Sequence, residues 1–457
     1  MTKALKTILL GATLTVAATA AMAQGAATLT LQLTMNDNTL KEYAASEVKK
    51  LGVDKATGTV SVRLTDGTTD EYVCQVKRIT FAGTKGKEVA SQLSSYTYLK
   101  KYVNRDAYPN FRLGCATDLN SVSQTVHKLN FEEIVAGNEF KYASCVKDDG
   151  TMDFTSVKNF ISRATTAGMQ VYGHTLAWHS QQRPNYLKRL VDGKSKEQQL
   201  AVLTDAMERW IKGMMEACNG RVKAWDVVNE AIAGSDGDKD GFYDLQHDNG
   251  DANNFFWQDY MGDLEYVRTA VRLARQYGPE GVKLFVNDYN LESDWDDNKK
   301  LKSLIDWIKK WEADGVTVID GIGTQMHISC STNASTLNSR KKAVTNMFKL
   351  MAQTGKLIRV SELDMGITDN NGKSIKTVDV TEAQQQLMAD FYRYIVDQYL
   401  TIIPPSQQWG ICQWCVGDSP ESNWGWRPGE PVGLWNEKKT IRKPAYKGFA
   451  DGLAGYQ

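Results

Sequence analysis

The chain has no net charge: its 457 residues hold 54 Lys plus Arg against 54 Asp plus Glu. That balance gives no electrostatic ground for expecting nucleic acid or an anionic membrane surface as a partner. The apolar stretch near the N-terminus, from Ile8 to around Ala18, is shorter than the ~20 residues a spanning helix needs. A paired metal motif is missing too. Cys412 and Cys415 are three apart, but no second closely spaced Cys/His pair completes a tetrahedral site. Their flanks read as a buried strand, where residues three apart face opposite sides. Packing, or a disulfide to a distant cysteine, is expected instead, and seven cysteines is an odd count that leaves at least one thiol over. Asp236-Gly237-Asp238-Lys239-Asp240-Gly241 starts like a calcium loop, yet its twelfth position is His247 rather than a bidentate Glu. A solvated acidic loop fits better, so no metal is expected.

What is present points to export and a large core. MTKALKTILLGATLTVAATAAMAQ has a basic start with Lys3 and Lys6, an apolar run, and Ala21-Met22-Ala23. This is the pattern of a secretory signal peptide over residues 1–23, implying a periplasmic or extracellular protein. The first cysteine is Cys74, so no cysteine stands at the cleavage point for lipidation. Residues 24–87 contain a weak repeat: LTLQLTMNDNTLKEYAASEVKKLGV and VSVRLTDGTTDEYVCQVKRITF share alternating apolar residues, an Asn/Asp turn, a tyrosine (Tyr43, Tyr72) and a second apolar segment. Two hairpins in tandem are expected, forming a small all-β module with a structural or spacer role.

From residue 88 to 457 the pattern changes to apolar runs separated by amphipathic helices. Runs occur at 111–115, 131–136, 169–172, 222–228, 282–286, 319–322, 357–360 and 410–412. Eight strands alternating with helices indicate an α/β fold, a (β/α)8 TIM barrel, because each parallel pair needs a crossover and eight strands close the sheet. In that fold chemistry sits at the carboxyl ends of the strands. Those ends carry Asn138 and Lys141, then His174 and Trp178, Asn229 and Glu230, Tyr289, Gln325 and His327, Glu362 and Asp364, and lastly Trp414. Two glutamates from opposite sides of one barrel mouth suit glycosidic-bond cleavage, one protonating the leaving oxygen and the other attacking the anomeric carbon. Trp178 and Trp414 offer flat apolar faces to a sugar ring; Asn138, Lys141, His174, Asn229 and Gln325 offer hydrogen bonds to hydroxyls.

FEEIVAGNEFKY, GHTLAWHSQ, WDVVNEAI, FVNDYN, GIGTQMHIS, VSELDM and the closing KPAY resemble, in order, the motifs of glycoside hydrolase family 10, the retaining endo-β-1,4-xylanases. The resemblance implies Glu230 as acid/base and Glu362 as nucleophile, with Asn229 on the 2-hydroxyl of the attacked sugar. It implies that His327 hydrogen-bonds the nucleophile and Asp364 orients His327. Asn138, Lys141, His174, Trp178, Gln181 and Gln325 match sugar-contacting positions, and Trp414 matches the platform under the cleaved residue. Tyr289 either lines the leaving-group side or simply closes its strand. No cofactor is implied, because carboxylates and water carry both halves of the reaction; the partner is xylan or a xylo-oligosaccharide, and the chain acts as a monomer.

Departures from the family pattern qualify the reading. Gly137 stands where the family usually has Glu, so a carboxylate that grips the glycone side is missing. Cys415 replaces a usual Gly, and the second cleft tryptophan has shifted register; Trp424 is favoured for that place over Trp426. A barrel hydrolase acting on another β-glycan, or a carbohydrate-binding protein without turnover, are the competing expectations.

Overall fold

The computed structural model describes residues 29–37, 39–44, 47–54, 56–83, 93–422 and 426–455. The expected signal segment, residues 1–23, and Trp424 lie outside the described residues. Two compact units divide between Ser95 and Tyr96. Among the described residues no helix is long and apolar enough to cross a membrane.

Among the described residues the first unit has six strands: β1 (Leu29–Met35), β2 (Leu40–Ala44), β3 (Val48–Asp54), β4 (Thr59–Leu64), β5 (Thr69–Val73) and β6 (Val76–Gly83). They form two three-stranded sheets, ordered β2-β1-β6 and β3-β4-β5. Both expected hairpins are there, β1 with β2 and β4 with β5. The third segment of each repeat, however, pairs with the other repeat's hairpin: β3 adds to β4, and β6 adds to β1. The two tandem hairpins are thus present, each extended by the third segment of the other repeat. Alternation supplies one core, with Leu31, Leu33 and Met35 of one central strand clustered with Val60 and Val62 of the other. The repeat-equivalent tyrosines meet: the Tyr43 and Tyr72 hydroxyls are hydrogen-bonded, and Tyr43 also donates to Asp70 at 2.5 Å.

The second unit is the barrel. Its strands are β7 (Arg112–Thr117), β8 (Glu133–Ala136), β9 (Gln170–Ala177), β10 (Val222–Asn229), β11 (Lys283–Asp288), β12 (Gly321–Thr324), β13 (His327–Ser331), β14 (Leu357–Thr368) and β15 (Gln408–Gln413). All pairings are parallel, and β15 returns to β7 to close the ring. All eight expected strands are present. The sixth is broken into β12 and β13, both of which pair with β14. Met326, between them, is fully buried with φ 54°, a left-handed conformation that redirects the chain. These strands read as continuous apolar runs because helices cover their outer face while side chains fill the inner one. All four residues of β8 and eleven of twelve in β14 are buried.

The outer helices follow from local signals. Lys196–Cys218 starts at a Ser195/Gln198 capping box and turns Leu203, Met207, Trp210, Ile211 and Met214 inward. Glu382–Ile402 starts at a Thr381/Gln384 box and packs on Pro444–Ala454 so closely that a Cβ on Gly448 would stand 1.9 Å from the Ala389 carbonyl. Gly448→Ala must push these helices apart, and a loss of about 1–3 kcal/mol is expected from such overpacking. Chemical denaturation read by far-UV circular dichroism checks it.

The barrel floor is polar. Arg359, fully buried, pairs with Glu133 at 3.2 Å and lies 3.7 Å from the Tyr172 ring centroid. Trp409 donates to the other Glu133 oxygen at 3.2 Å, while Tyr172 donates to Asp226 at 2.7 Å. Asp226 in turn accepts from His174 Nδ1 at 2.8 Å. A hydrogen-bonded column thus rises from the floor toward the mouth.

Candidate active site

Glu230 follows directly on β10, and Glu362 lies within β14. Glu230 adopts φ 55°; a non-glycine residue there costs roughly 1–3 kcal/mol and persists where its surroundings over-determine it. Those surroundings are visible. Its backbone N–H donates to the Asn287 carbonyl at 2.7 Å. Its carboxyl accepts from Gln325 Nε2 at 2.8 Å, Trp178 Nε1 at 3.0 Å and Asn229 Nδ2 at 3.3 Å. Burial pushes its pKa up; the Gln325 and Trp178 bonds pull the other way, but the charges of Asp288 and Glu362 add to the rise, and the net direction is upward.

Glu362 is driven the opposite way. Burial alone would raise it, yet the hydrogen bond from His327, with His174 and Lys141 nearby, holds it down to about 2. His327 Nε2 lies 3.3 Å from Glu362 and Nδ1 lies 3.0 Å from Asp364. Although burial works against charge on the imidazole, these carboxylates raise its pKa to about 10, so both ring nitrogens donate near neutral pH. Asp364 is fully buried and also accepts from Arg427 Nη1 at 2.8 Å and Trp426 Nε1 at 2.7 Å. Asn287 links the two halves: its amide donates to Glu362 at 3.0 Å and to Asn229 at 2.9 Å, while its carbonyl accepts from Ser361.

The other expected residues fall into three groups. His174, Trp178 and Trp414 gather in ring contact, His174 lying 6.3 Å from Trp178 and 5.8 Å from Trp414, with His327 6.1 Å from Trp414. Lys141 is buried with Nζ 5.3 Å from the Trp178 ring centroid, and burial lowers its pKa against the raising charges of Glu362, Glu230 and Glu139. Asn138 and Gln181 are exposed and hydrogen-bond each other at 3.4 Å. Tyr289 stands apart, over the ammonium of Lys300. Beside Glu230, Tyr289 and Gln246 line a pocket of about 510 Å³ with Trp307 and His247.

Sequence reasoning passed over several residues. Asn287, at the end of the fifth strand and within FVNDYN, was given no role. Trp426 was the less favoured tryptophan, yet its ring stands 4.3 Å from His327. Asp226 lies inside WDVVNEAI but was given no role, and Arg427 lies outside the quoted motifs. The seven cysteines are all unbridged, so packing describes Cys412, whereas Cys415 Sγ lies 3.7 Å from Asp364. Asp236, Asp238 and Asp240 each bring one carboxylate oxygen within 4.8 Å of the others. Lysines share that charge, Lys299 lying 2.9 Å from Asp236 and Lys310 3.6 Å from Asp240.

Fold and site together define a class: a closed parallel barrel with two carboxyl groups of opposed environment at its mouth. The chain belongs to glycosyl hydrolase family 10, whose family model matches residues 103–452. It is 31% identical over 357 residues to endo-beta-1,4-xylanase Xyn10C of Cellvibrio japonicus, covering 74% of this chain and 54% of that protein. The chain spans about half the length of the first curated relatives it matches. Among solved structures, a family 10 protein from Paenibacillus barcinonensis superposes with TM-score 0.61 at 26% identity, covering 76% of this chain and 96% of that one. A variant of xylanase 10C from Cellvibrio japonicus, in complex with xylopentaose, shares the fold with TM-score 0.65 at 24% identity, covering 94% and 86%.

Proposed function

We propose that the chain is a secreted, monomeric endo-β-1,4-xylanase that cuts internal bonds of xylan with retention of anomeric configuration. The observation that carries this is the opposed environment of the two carboxyls: Glu230 is held toward its protonated form and Glu362 toward its ionised form. Such a division assigns acid and nucleophile. Glu362 attacks the anomeric carbon as the bond to the leaving oxygen breaks, and the Glu230 proton passes to that oxygen. The resulting ester removes the charge on Glu362. Glu230, now ionised, takes a proton from water, whose oxygen attacks the anomeric carbon from the face the leaving oxygen vacated and releases the Glu362 carboxylate on the opposite face. Asn229 meets the 2-hydroxyl; Lys141, His174, Asn138 and Gln181 hold the glycone; Trp414 and Trp178 supply apolar faces.

Reducing-sugar release from xylan, cellulose and mixed-linkage glucan tests the substrate. Release from xylan with a ladder of oligosaccharide products supports the reading, and preferential cleavage of either glucan overturns it. N-terminal sequencing of the mature protein tests export, with Gln24 expected as the first residue.

The pH dependence follows in sign. Activity needs Glu362 ionised and Glu230 protonated, so kcat/KM should rise only as pH passes the low pKa of Glu362 and fall as pH passes that of Glu230, above the ordinary 4.5. Glu230→Gln should keep an activated aryl xylobioside as its working substrate and show on it none of the basic limb that the wild type shows on a xylo-oligosaccharide. Persistence of that limb would assign it to another group.

A further inference from the structure

A buried ion pair between Lys300 and Asp288 lies under the leaving-group side of the mouth. Lys300, in the first turn of the helix Lys299–Glu312, is 4% exposed. Its Nζ lies 2.9 Å from Asp288 Oδ1 and 3.2 Å from the centroid of the Tyr289 ring. Asp288, fully buried, works as a hub. Its Oδ1 also accepts the Tyr289 backbone N–H at 2.9 Å, and its Oδ2 accepts that of Ile232, two residues past Glu230, at 2.9 Å. Its carbonyl accepts the Gln325 N–H at 3.0 Å, and the Gln325 side chain donates to Glu230. One ion pair therefore roots three segments: the turn carrying Glu230, the ring of Tyr289, and the residue that aims the Glu230 carboxyl.

Stability alone is a weak reason for such a pair. Two charges lose their hydration on burial, and well-packed apolar residues often serve as well or better. Position supplies a better reason. Glu230 hands its proton to the leaving oxygen, so the departing sugar lies on its side of the cleft, where Tyr289 and Gln246 line the pocket and Gln246 Nε2 holds the Glu230 carbonyl at 2.8 Å. The cation covers one face of the Tyr289 ring, an attraction that strengthens out of water, and so fixes its tilt.

We propose that Lys300 is a positioning residue for the leaving-group half of the reaction: shared between Asp288 and Tyr289, it sets the aromatic that receives the departing sugar and, through Asp288 and Gln325, the aim of Glu230. This rests on Glu230 being the acid/base of a xylan-cleaving enzyme. Other titratable groups around the ammonium are Glu292, 7% exposed with one carboxyl oxygen unpartnered, and His179, lowered to about 4 by burial and then by Lys300. Neither is in ion-pair contact with Lys300.

The test compares two substrates on two variants. A xylo-oligosaccharide needs the proton donor and the leaving-side sugar contacts; a dinitrophenyl β-xylobioside needs neither. Lys300→Met leaves Asp288 without its partner, so Lys300→Met/Asp288→Asn, which buries no orphan charge, guards against a folding failure. In the double variant kcat/KM on the oligosaccharide should fall roughly a hundredfold, as misplacement of a catalytic group by about 1 Å does, with the aryl substrate within about threefold of wild type. In Lys300→Met the bare Asp288 charge should also move the basic limb on the oligosaccharide to higher pH relative to the double variant. Equal losses on both substrates, or no loss on either, overturn the proposal. A wild-type chain inactive on both overturns the xylanase reading and the proposal with it.

Discussion

Glu362→Ala is expected to abolish turnover of every substrate the wild-type chain cuts, by about 10⁶-fold in kcat, the scale seen when an attacking group is removed. Glu230→Ala should behave differently. On xylan it should lose about 10³-fold, the scale of general acid catalysis. On an aryl xylobioside whose leaving group departs unprotonated, the first displacement should survive, while water attack on the ester slows for want of a base. A pre-steady-state burst of phenol, followed by slow turnover, is the signature. Added azide should restore the second step and give a xylosyl azide of unchanged anomeric configuration. Equal loss on both substrate types in both variants would contradict the division of roles.

Arg359→Met should be the most destabilising single change on the barrel floor. It leaves Glu133 buried without its cation and strips the cover from Tyr172; breaking one side of a buried pair costs about 3–5 kcal/mol. Because Tyr172 holds Asp226, and Asp226 holds His174, the loss should also reach the glycone side of the site. Arg359→Met/Glu133→Gln should regain most of the stability by removing the orphan charge. Urea denaturation of the wild type and both variants measures the difference, and a single variant within about 1 kcal/mol of wild type would show that the pair is not the floor's anchor.

The barrel was legible because strands buried on both faces appear as unbroken apolar runs, and runs of that kind recur eight times between helical patterns. The break in the sixth strand was not. Gly321-Ile322-Gly323-Thr324-Gln325-Met326-His327 shows nothing that marks Met326 as left-handed; the conformation follows from packing Gln325 and His327 toward opposite partners, Glu230 and Glu362. In the first unit, β3 and β6 carry the same alternation, so the sequence cannot say which hairpin either one joins. Register with β4 and β1 settles it only in three dimensions. The carboxyl pair was readable from strand-end position. Lys300 was not, because a lysine in KKLKSLIDWIKKW reads as the solvated edge of an amphipathic helix, and only Asp288 across the gap gives it a buried partner. Trp426 could not be told from Trp424, which lies outside the described residues, because two tryptophans two positions apart read alike in sequence, and the bond from Trp426 to Asp364 is visible only in three dimensions.

The most direct measurement traps the ester itself. A 2-deoxy-2-fluoro xylobioside with a dinitrophenyl leaving group should inactivate the chain stoichiometrically, and peptide mass spectrometry should place one disaccharide on Glu362, within the Val360-Ser361-Glu362-Leu363-Asp364 segment. A label on Glu230, or turnover of xylan with inverted products and no covalent adduct, would contradict the assignment.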